Sequence, residues 1–191
     1  MISKIKEDLT ELAALLKNIE ISLADQIYEA AEFILHAYRN NGCVYFFGNG
    51  GSAADAQHLS TELVCRFKKN RKALPALALT TDSSFMTACA NDYDFHTIFE
   101  RQIEAFVGAN DICIGISTSG NSENVLKGFQ MAKERGAKTI AFLGSEGGKM
   151  KNLTDVALIV PSSNTPRIQE CHITIGHIIC DIVETELFKN D

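Results

Sequence analysis

The 191-residue chain predicts an α/β fold: a doubly wound, five-stranded parallel sheet flanked by helices, with N-terminal helices ahead of the first strand. Three observations predict it. Apolar runs at 43–47 (CVYFF), 74–79 (LPALAL), 111–116 (DICIGI), 138–143 (KTIAFL) and 155–160 (DVALIV) lack the polar alternation of a half-solvated strand. They read as strands covered on both faces, as in a parallel sheet. Helical stretches at 52–69, 95–107 and 122–135 fall between them and supply crossovers. Two of the strands run into polar, glycine-containing loops, the place where open α/β sheets bind ligands.

In chain order, residues 3–40 read as helical. Ile5, Leu9, Leu12, Leu15 and Leu16 recur at helical spacing. A second helix begins near Ser22, with Asp25 three residues on as in a capping box, and runs to Arg39 before Asn40, Asn41 and Gly42 stop it. The basic run RFKKNRK (66–72) reads as a solvated helix end, since cations suit a helix C-terminus. A closing helix spans about 166–188, with Pro166 in its first turn. Residues 1–191 read as a single domain, with a helical segment at 1–40 and an α/β core with its closing helix at 41–191.

Composition narrows the function classes. Hydrophobic residues make up 46% and charged residues 22%, enough apolar material for a core. A net charge of −6 lacks the basic footprint of a nucleic-acid binder. No run of about 18 apolar residues is present, so no membrane span is expected. The start, MISKIKEDLTEL, is acidic where a signal peptide is apolar, and the expected location is cytoplasmic. The six cysteines form no C-x-x-C and read as reduced, mostly buried side chains.

The polar loops are GNGGS (48–52) and STSGNS (117–122), each opening a helix. Unpaired N–H groups and the positive end of a helix dipole therefore meet at both. One serine before a helix is ordinary capping. Ser117, Thr118, Ser119 and Ser122 place four hydroxyls in six positions, beyond what one cap requires, and point to a phosphate cradle. Gly48, Gly50, Gly51 and Gly120 allow close backbone approach. Nucleotide motifs do not fit. GNGGSA has no acidic residue about 20 positions on, and GSEGGKM is one residue short of a P-loop, with Met150 where Ser or Thr belongs.

His58 and Glu62 share a helix face at i, i+4, and Arg66 extends the row. A solvent-exposed ladder is the plain alternative, but this helix opens at the cradle, so its early turns line the same cleft. The closing helix carries Gln169, Glu170, His172 and His177 among isoleucines. A histidine there is either a satisfied core group or a ligand. Gln169 lies about 80° around the helix from His177, while Glu170 nearly coincides with it, so periodicity favours Glu170 as its partner without deciding the pairing.

FFGNGGSAADAQHLSTEL, ANDYDF, GISTSGNSENV and RIQECHITIGHIICDIVE, in this order and spacing, resemble the phosphoheptose isomerases of the sugar-isomerase (SIS) domain superfamily. The resemblance covers about residues 40–188. It implies an SIS-type fold and a ketose–aldose isomerase that converts sedoheptulose 7-phosphate to D-glycero-D-manno-heptose 7-phosphate through an enediolate, for surface-polysaccharide (lipopolysaccharide) synthesis. It implies that Asn49, Gly50, Gly51, Ser52, Ser117, Thr118, Ser119 and Ser122 hold the sugar phosphate, with Asn91, Asp92, Glu62 and Gln169 also on the substrate. Glu62 and His177 are implied as the acid/base pair. His58, Glu62, Gln169 and His177 are implied as ligands of one zinc per subunit, which selects Gln169 over Glu170. It also implies a homotetramer with active sites at subunit interfaces. Other SIS proteins are non-catalytic, binding a replication initiator or sensing sugar phosphates; the presence of Glu62 and His177 together with His58 and Gln169 favours the enzyme.

Overall fold

The structure is a computed structural model and describes residues 1–189. Helix α1 (Ile2–Ser22) lays Leu12, Leu15, Leu16 and Ile19 on the core and leaves Ile2, Ile5 and Leu9 exposed. Leu23 interrupts it, and α2 (Ala24–Arg39) follows with Ile27, Ala30, Ala31, Ile34 and Leu35 buried. The expected Ser22–Asp25 capping box does not form. The Ser22 hydroxyl bonds Asn18 within α1, and the cap position falls to Leu23, which has no side-chain acceptor.

The five strands are β1 (Val44–Gly48), β2 (Ala76–Ala78), β3 (Ile112–Ser117), β4 (Lys138–Gly144) and β5 (Val156–Val160). All pairs are parallel and the order is β2-β1-β3-β4-β5. Successive residues feed opposite layers. Val44, Phe46, Ile112, Ile114 and Phe142 pack into one core, and Tyr45, Phe47, Cys113, Ala141 and Leu143 into the other. That two-sided burial is why the strands carry no polar alternation.

Helices α1, α2, α3 (Gly51–Val64) and α7 (Thr165–Leu187) contribute to the first core. The second core takes α4 (Ser83–Asp92), α5 (Ile98–Phe106) and α6 (Glu123–Glu134). A 3₁₀ turn at Phe95–Thr97 leads into α5, and the 95–107 stretch divides there. Helix α4 was not expected from the sequence.

The helix expected at 52–69 stops at Val64, and residues 65–75 form a loop. The run 66–72 is therefore not a helix end, and Arg66 does not extend the His58–Glu62 row. The chain reverses from sequence order between β1 and β3, so the loops that follow these two strands flank the topological switch point, where ligand crevices open.

Candidate functional site

At the switch point the two polar loops are joined through side-chain amides. Asn49 and Asn124 exchange hydrogen bonds at 2.9 and 2.8 Å, tying the loop after β1 to the first turn of α6. Ser122 occupies the cap position of α6 yet makes no side-chain cap bond. Its hydroxyl lies 3.0 Å from that of Ser117. The Ser119 hydroxyl accepts from the Asn121 N–H at 3.2 Å. The hydroxyls at 117 and 122 thus face each other rather than cap the helix; the Val125 and Leu126 N–H groups turn to the Ser122 carbonyl, and those of Glu123 and Asn124 keep no acceptor among the described residues. Gly50 heads α3 with φ 56°, a left-handed conformation, with open space where a Cβ would stand. The other loop glycines have a different use from the one expected. Side chains at Gly48, Gly51 and Gly120 would strike Ile116, Gln169 and Gly147, so their bareness lets the protein pack on itself.

Two turns along α3, a second cluster forms. His58 Nε2 lies 2.9 Å from Glu62 Oε1 and 3.4 Å from His177 Nε2 on α7. Among the described residues these three groups offer donor atoms within 4.8 Å of one another, a set that can hold a metal ion. The helices meet closely here because residue 176 is glycine; a Cβ would stand 2.5 Å from the buried Leu59 side chain. Burial and then the neighbouring His58 lower the His177 pKa, against the pull of Glu62, which favours the neutral ring with a free lone pair.

The donor set fits zinc chemically. It has two imidazoles and a carboxylate, and two nitrogens bound about 2.0–2.1 Å from a tetrahedral ion stand about 3.4 Å apart. On the same helix, Asp55 is half-buried with Oδ2 unpaired, and burial pushes its pKa up to about 6 against the influence of His58.

The structure thus brings His58, Glu62 and His177 together in one chain. Gln169 stands eight residues before His177 on α7 and rests its amide against Gly51, at the cradle end of α3. Ser52 is buried, Thr118 is half-buried, and Asn91 and Asp92 close α4, exposed and bonded to each other at 2.8 Å. Glu170 is paired through Oε1 with Arg167 at 2.7 Å, and its Oε2 is buried without a partner. His172 is a core group, with Nε2 2.9 Å from the Leu143 carbonyl.

The SIS-domain family profile matches residues 9–144. A phosphoheptose isomerase of Aquifex aeolicus is 53% identical, over 96% of each chain. The chain belongs to this family. Another member, from Clostridium acetobutylicum, is 56% identical over 86% of this chain and 84% of its own length. The solved phosphoheptose isomerase of Neisseria gonorrhoeae superposes with a TM-score of 0.91 at 40% identity, covering 96% of this chain and 98% of that one.

Family membership makes the chain a sugar-phosphate isomerase, and two features of the site have no counterpart in the sequence reading. Asn124 clasps the two loops, a role that only its proximity to the STSGNS loop could have suggested. The 66–72 loop packs Phe67 against His177, with ring centroids 5.5 Å apart. A cleft of about 420 Å³ at the opposite end of the strands, by the starts of β3 and β4 and lined in part by Asn110, Asp111 and Lys138, gathers no comparable constellation. There Asp111 accepts from the Cys43 and Gly108 N–H groups, and Lys138 bonds Asp155.

Proposed function

We propose that the protein interconverts sedoheptulose 7-phosphate and D-glycero-D-manno-heptose 7-phosphate through an enediolate. The observation that carries this reading is the pairing, on one helix, of an anion cradle at the first turn of α3 with the His58–Glu62–His177 group two turns on. The hydroxyls of Ser117, Thr118, Ser119 and Ser122 and the N-terminal backbone from Asn49 to Ser52 hold the phosphate. Asn91 and Asp92 take sugar hydroxyls, and Gln169 bridges the cradle to the proton-moving end.

Glu62 removes the proton from C1. The C–H electron pair becomes the C1–C2 double bond, and the ketone oxygen O2 gains a proton. Reprotonation at C2 and loss of the O1 proton then give the aldose. Oε1 of Glu62 faces His58, which leaves its other oxygen for the substrate. His177, whose lowered pKa favours the neutral ring, relays protons at the sugar oxygens. His58, Glu62 and His177, with Gln169 as fourth donor, would hold one zinc ion, which when bound supplies Lewis-acid polarisation of the sugar oxygens.

We further propose a cytoplasmic homotetramer, built on the single-domain chain 1–191, that serves surface-polysaccharide synthesis. Supporting the assembly is an apolar groove of about 400 Å³ between α1, α2 and α7, lined by Leu16, Ile19, Ile27, Ile175, Ile178 and Ile182. It is continuous with the exposed Tyr28 and Ile178. Light scattering on the purified protein tests the tetramer.

The reaction is tested by incubating the protein with sedoheptulose 7-phosphate, with and without a chelator, and following the aldose by NMR. Turnover that the chelator abolishes and zinc restores is the expected result. Turnover indifferent to the chelator removes the metal from the scheme. Sugar that binds without turning over removes the enzyme. Glu62→Gln is expected to lower kcat roughly 100- to 10,000-fold with the fold intact.

A further inference from the structure

Residues 66–72 look like a solvated cluster of cations, and the structure builds something else from them. Glu184, on the last turns of α7, receives four hydrogen bonds. The Phe67 N–H and Arg71 Nε reach Oε1 at 3.1 and 2.9 Å, and the Lys68 and Lys69 N–H groups each reach Oε2 at 2.8 Å. Burial alone would raise the pKa of this carboxyl. The backbone N–H groups and the Arg71 guanidinium outweigh it and hold the pKa below the usual range.

Arg71 is spent as completely. Its Nη1 donates to the Leu63 carbonyl at 2.7 Å and to that of Lys72 at 3.1 Å, and its Nη2 donates to the Glu62 carbonyl at 2.9 Å. The two side chains are 0% and 2% exposed. A buried ion pair is a poor choice for stability alone, because desolvation consumes much of the Coulomb gain and apolar side chains do as well. What distinguishes this pair is what it is tied to. Arg71 closes the C-terminal end of α3 through the backbone of Glu62 itself. Glu184 turns the loop so that the Phe67 ring lies 5.5 Å from His177, tilted by 33°. The pair also ties α3 to α7, the two helices whose spacing sets the 3.4 Å separation of His58 and His177.

We infer that the Arg71–Glu184 pair and the loop it folds are the positioning device of the His58–Glu62–His177 centre: Arg71 fixes the backbone of Glu62, and Glu184 seats Phe67 on the ring of His177. None of the three touches a reacting atom, so they are positioning residues. The inference rests on the function proposed above, in which this centre holds an ion and moves protons. It deepens that reading by naming what keeps the three donors in register.

The test compares wild type with Phe67→Leu, Phe67→Tyr, Arg71→Lys and Glu184→Gln. The readouts are thermal unfolding, zinc affinity by competition with a chromogenic chelator, and kcat and KM for sedoheptulose 7-phosphate. Phe67→Leu keeps every backbone bond to Glu184 and loses only the ring. Arg71→Lys keeps the charge and loses the planar fork that reaches a carboxylate and three carbonyls.

Both variants are expected to fold. Each should bind zinc roughly tenfold to hundredfold more weakly, as loss of groups that orient metal ligands does. Their kcat should fall with the affinity while KM moves less than about threefold, because the phosphate is held at the other end of the cleft. Phe67→Tyr, which restores the ring, should recover most of what Phe67→Leu loses. Folded Phe67→Leu and Arg71→Lys proteins with wild-type zinc affinity and kcat would overturn the inference and leave the pair a purely structural clamp. Should Glu184→Gln fail to fold, those two variants still decide. A wild type that binds zinc but does not isomerise the sugar would break the functional reading, and the affinity series alone would then judge this one.

Discussion

Two histidines of α7, His172 and His177, stand five positions apart, about 140° around the helix, and burial lowers the pKa of both. His172 turns toward the sheet, fully enclosed beside Phe142, with Nε2 2.9 Å from the Leu143 carbonyl. A carbonyl is a fixed acceptor, so this imidazole serves as a neutral donor. His177 turns toward α3 and meets a second imidazole and, through it, a carboxylate. Those neighbours offer lone pairs and negative charge, which a proton or a cation can join. Residue type and burial do not separate the two; what each ring nitrogen faces does.

The largest effect that sharpens this contrast is on turnover. His177→Asn is expected to lower kcat roughly 100- to 10,000-fold while the unfolding temperature moves little, because its ring is half-buried and ties nothing in the core together. Initial rates and a thermal melt on one preparation check both halves. An active His177→Asn enzyme would erase the distinction between the rings.

Acid stability comes next. Burial pulls the His172 pKa down to about 4, despite its bond to the Leu143 carbonyl, against an ordinary value of 6.5. Between those values the unfolded chain binds a proton that the folded chain refuses. The stability tied to this group is therefore complete above about pH 6.5 and is lost as pH falls toward 4, a change on the order of 3 kcal/mol. Urea unfolding at pH 7.5, 6 and 4.5 measures it. His172→Leu should flatten that acid limb and cost about 1–3 kcal/mol at pH 7.5, where the Leu143 carbonyl loses its donor. An acid limb of the same steepness in the variant would assign the loss to other groups.

The same principle, that a group is understood through its partner, explains what was legible in the sequence. The strands were, because a strand buried on both faces must be apolar at every position: Phe46 feeds one core and Phe47 the other. His58 and Glu62 were, because an i, i+4 pair is a local relation. The end of α3 was not. Its loop is shaped by Glu184, 115 to 117 residues away from the N–H groups it accepts, and no local pattern reports such a partner. Helix α4 escaped although it is marked locally: Asp82 caps it at the Phe85 N–H, and Phe85, Met86, Cys89 and Ala90 form a stripe on the second core, but the stripe is short and only Cys89 is fully buried. The capping box at Ser22 and Asp25 was a local pattern that lost to the continuation of α1 through Ser22. For His177, periodicity favoured Glu170 over Gln169 without deciding the pairing. The structure then occupied Glu170 with Arg167, a contact to which the N-terminal helix contributes through the Asp8 carbonyl.

The smallest expected effect falls at the other end of the cleft and separates binding from chemistry. The Ser119 hydroxyl accepts the Asn121 N–H at 3.2 Å, and its own proton is left to donate. Donation to a phosphate oxygen is a hydrogen bond to a charged group, worth about 1.5–3 kcal/mol. Ser119→Ala should therefore raise KM roughly 10- to 100-fold. The phosphate is remote from the carbon that loses its proton, so the bond is the same in ground and transition states and kcat should change little. Calorimetric titration with inorganic phosphate isolates the cradle from the sugar and should show the same weakening. An unchanged KM with unchanged phosphate binding would mean that the hydroxyls of 117–122 shape the turn, as Ser119 does for Asn121, and that the backbone N–H groups at the start of α6 hold the anion without them.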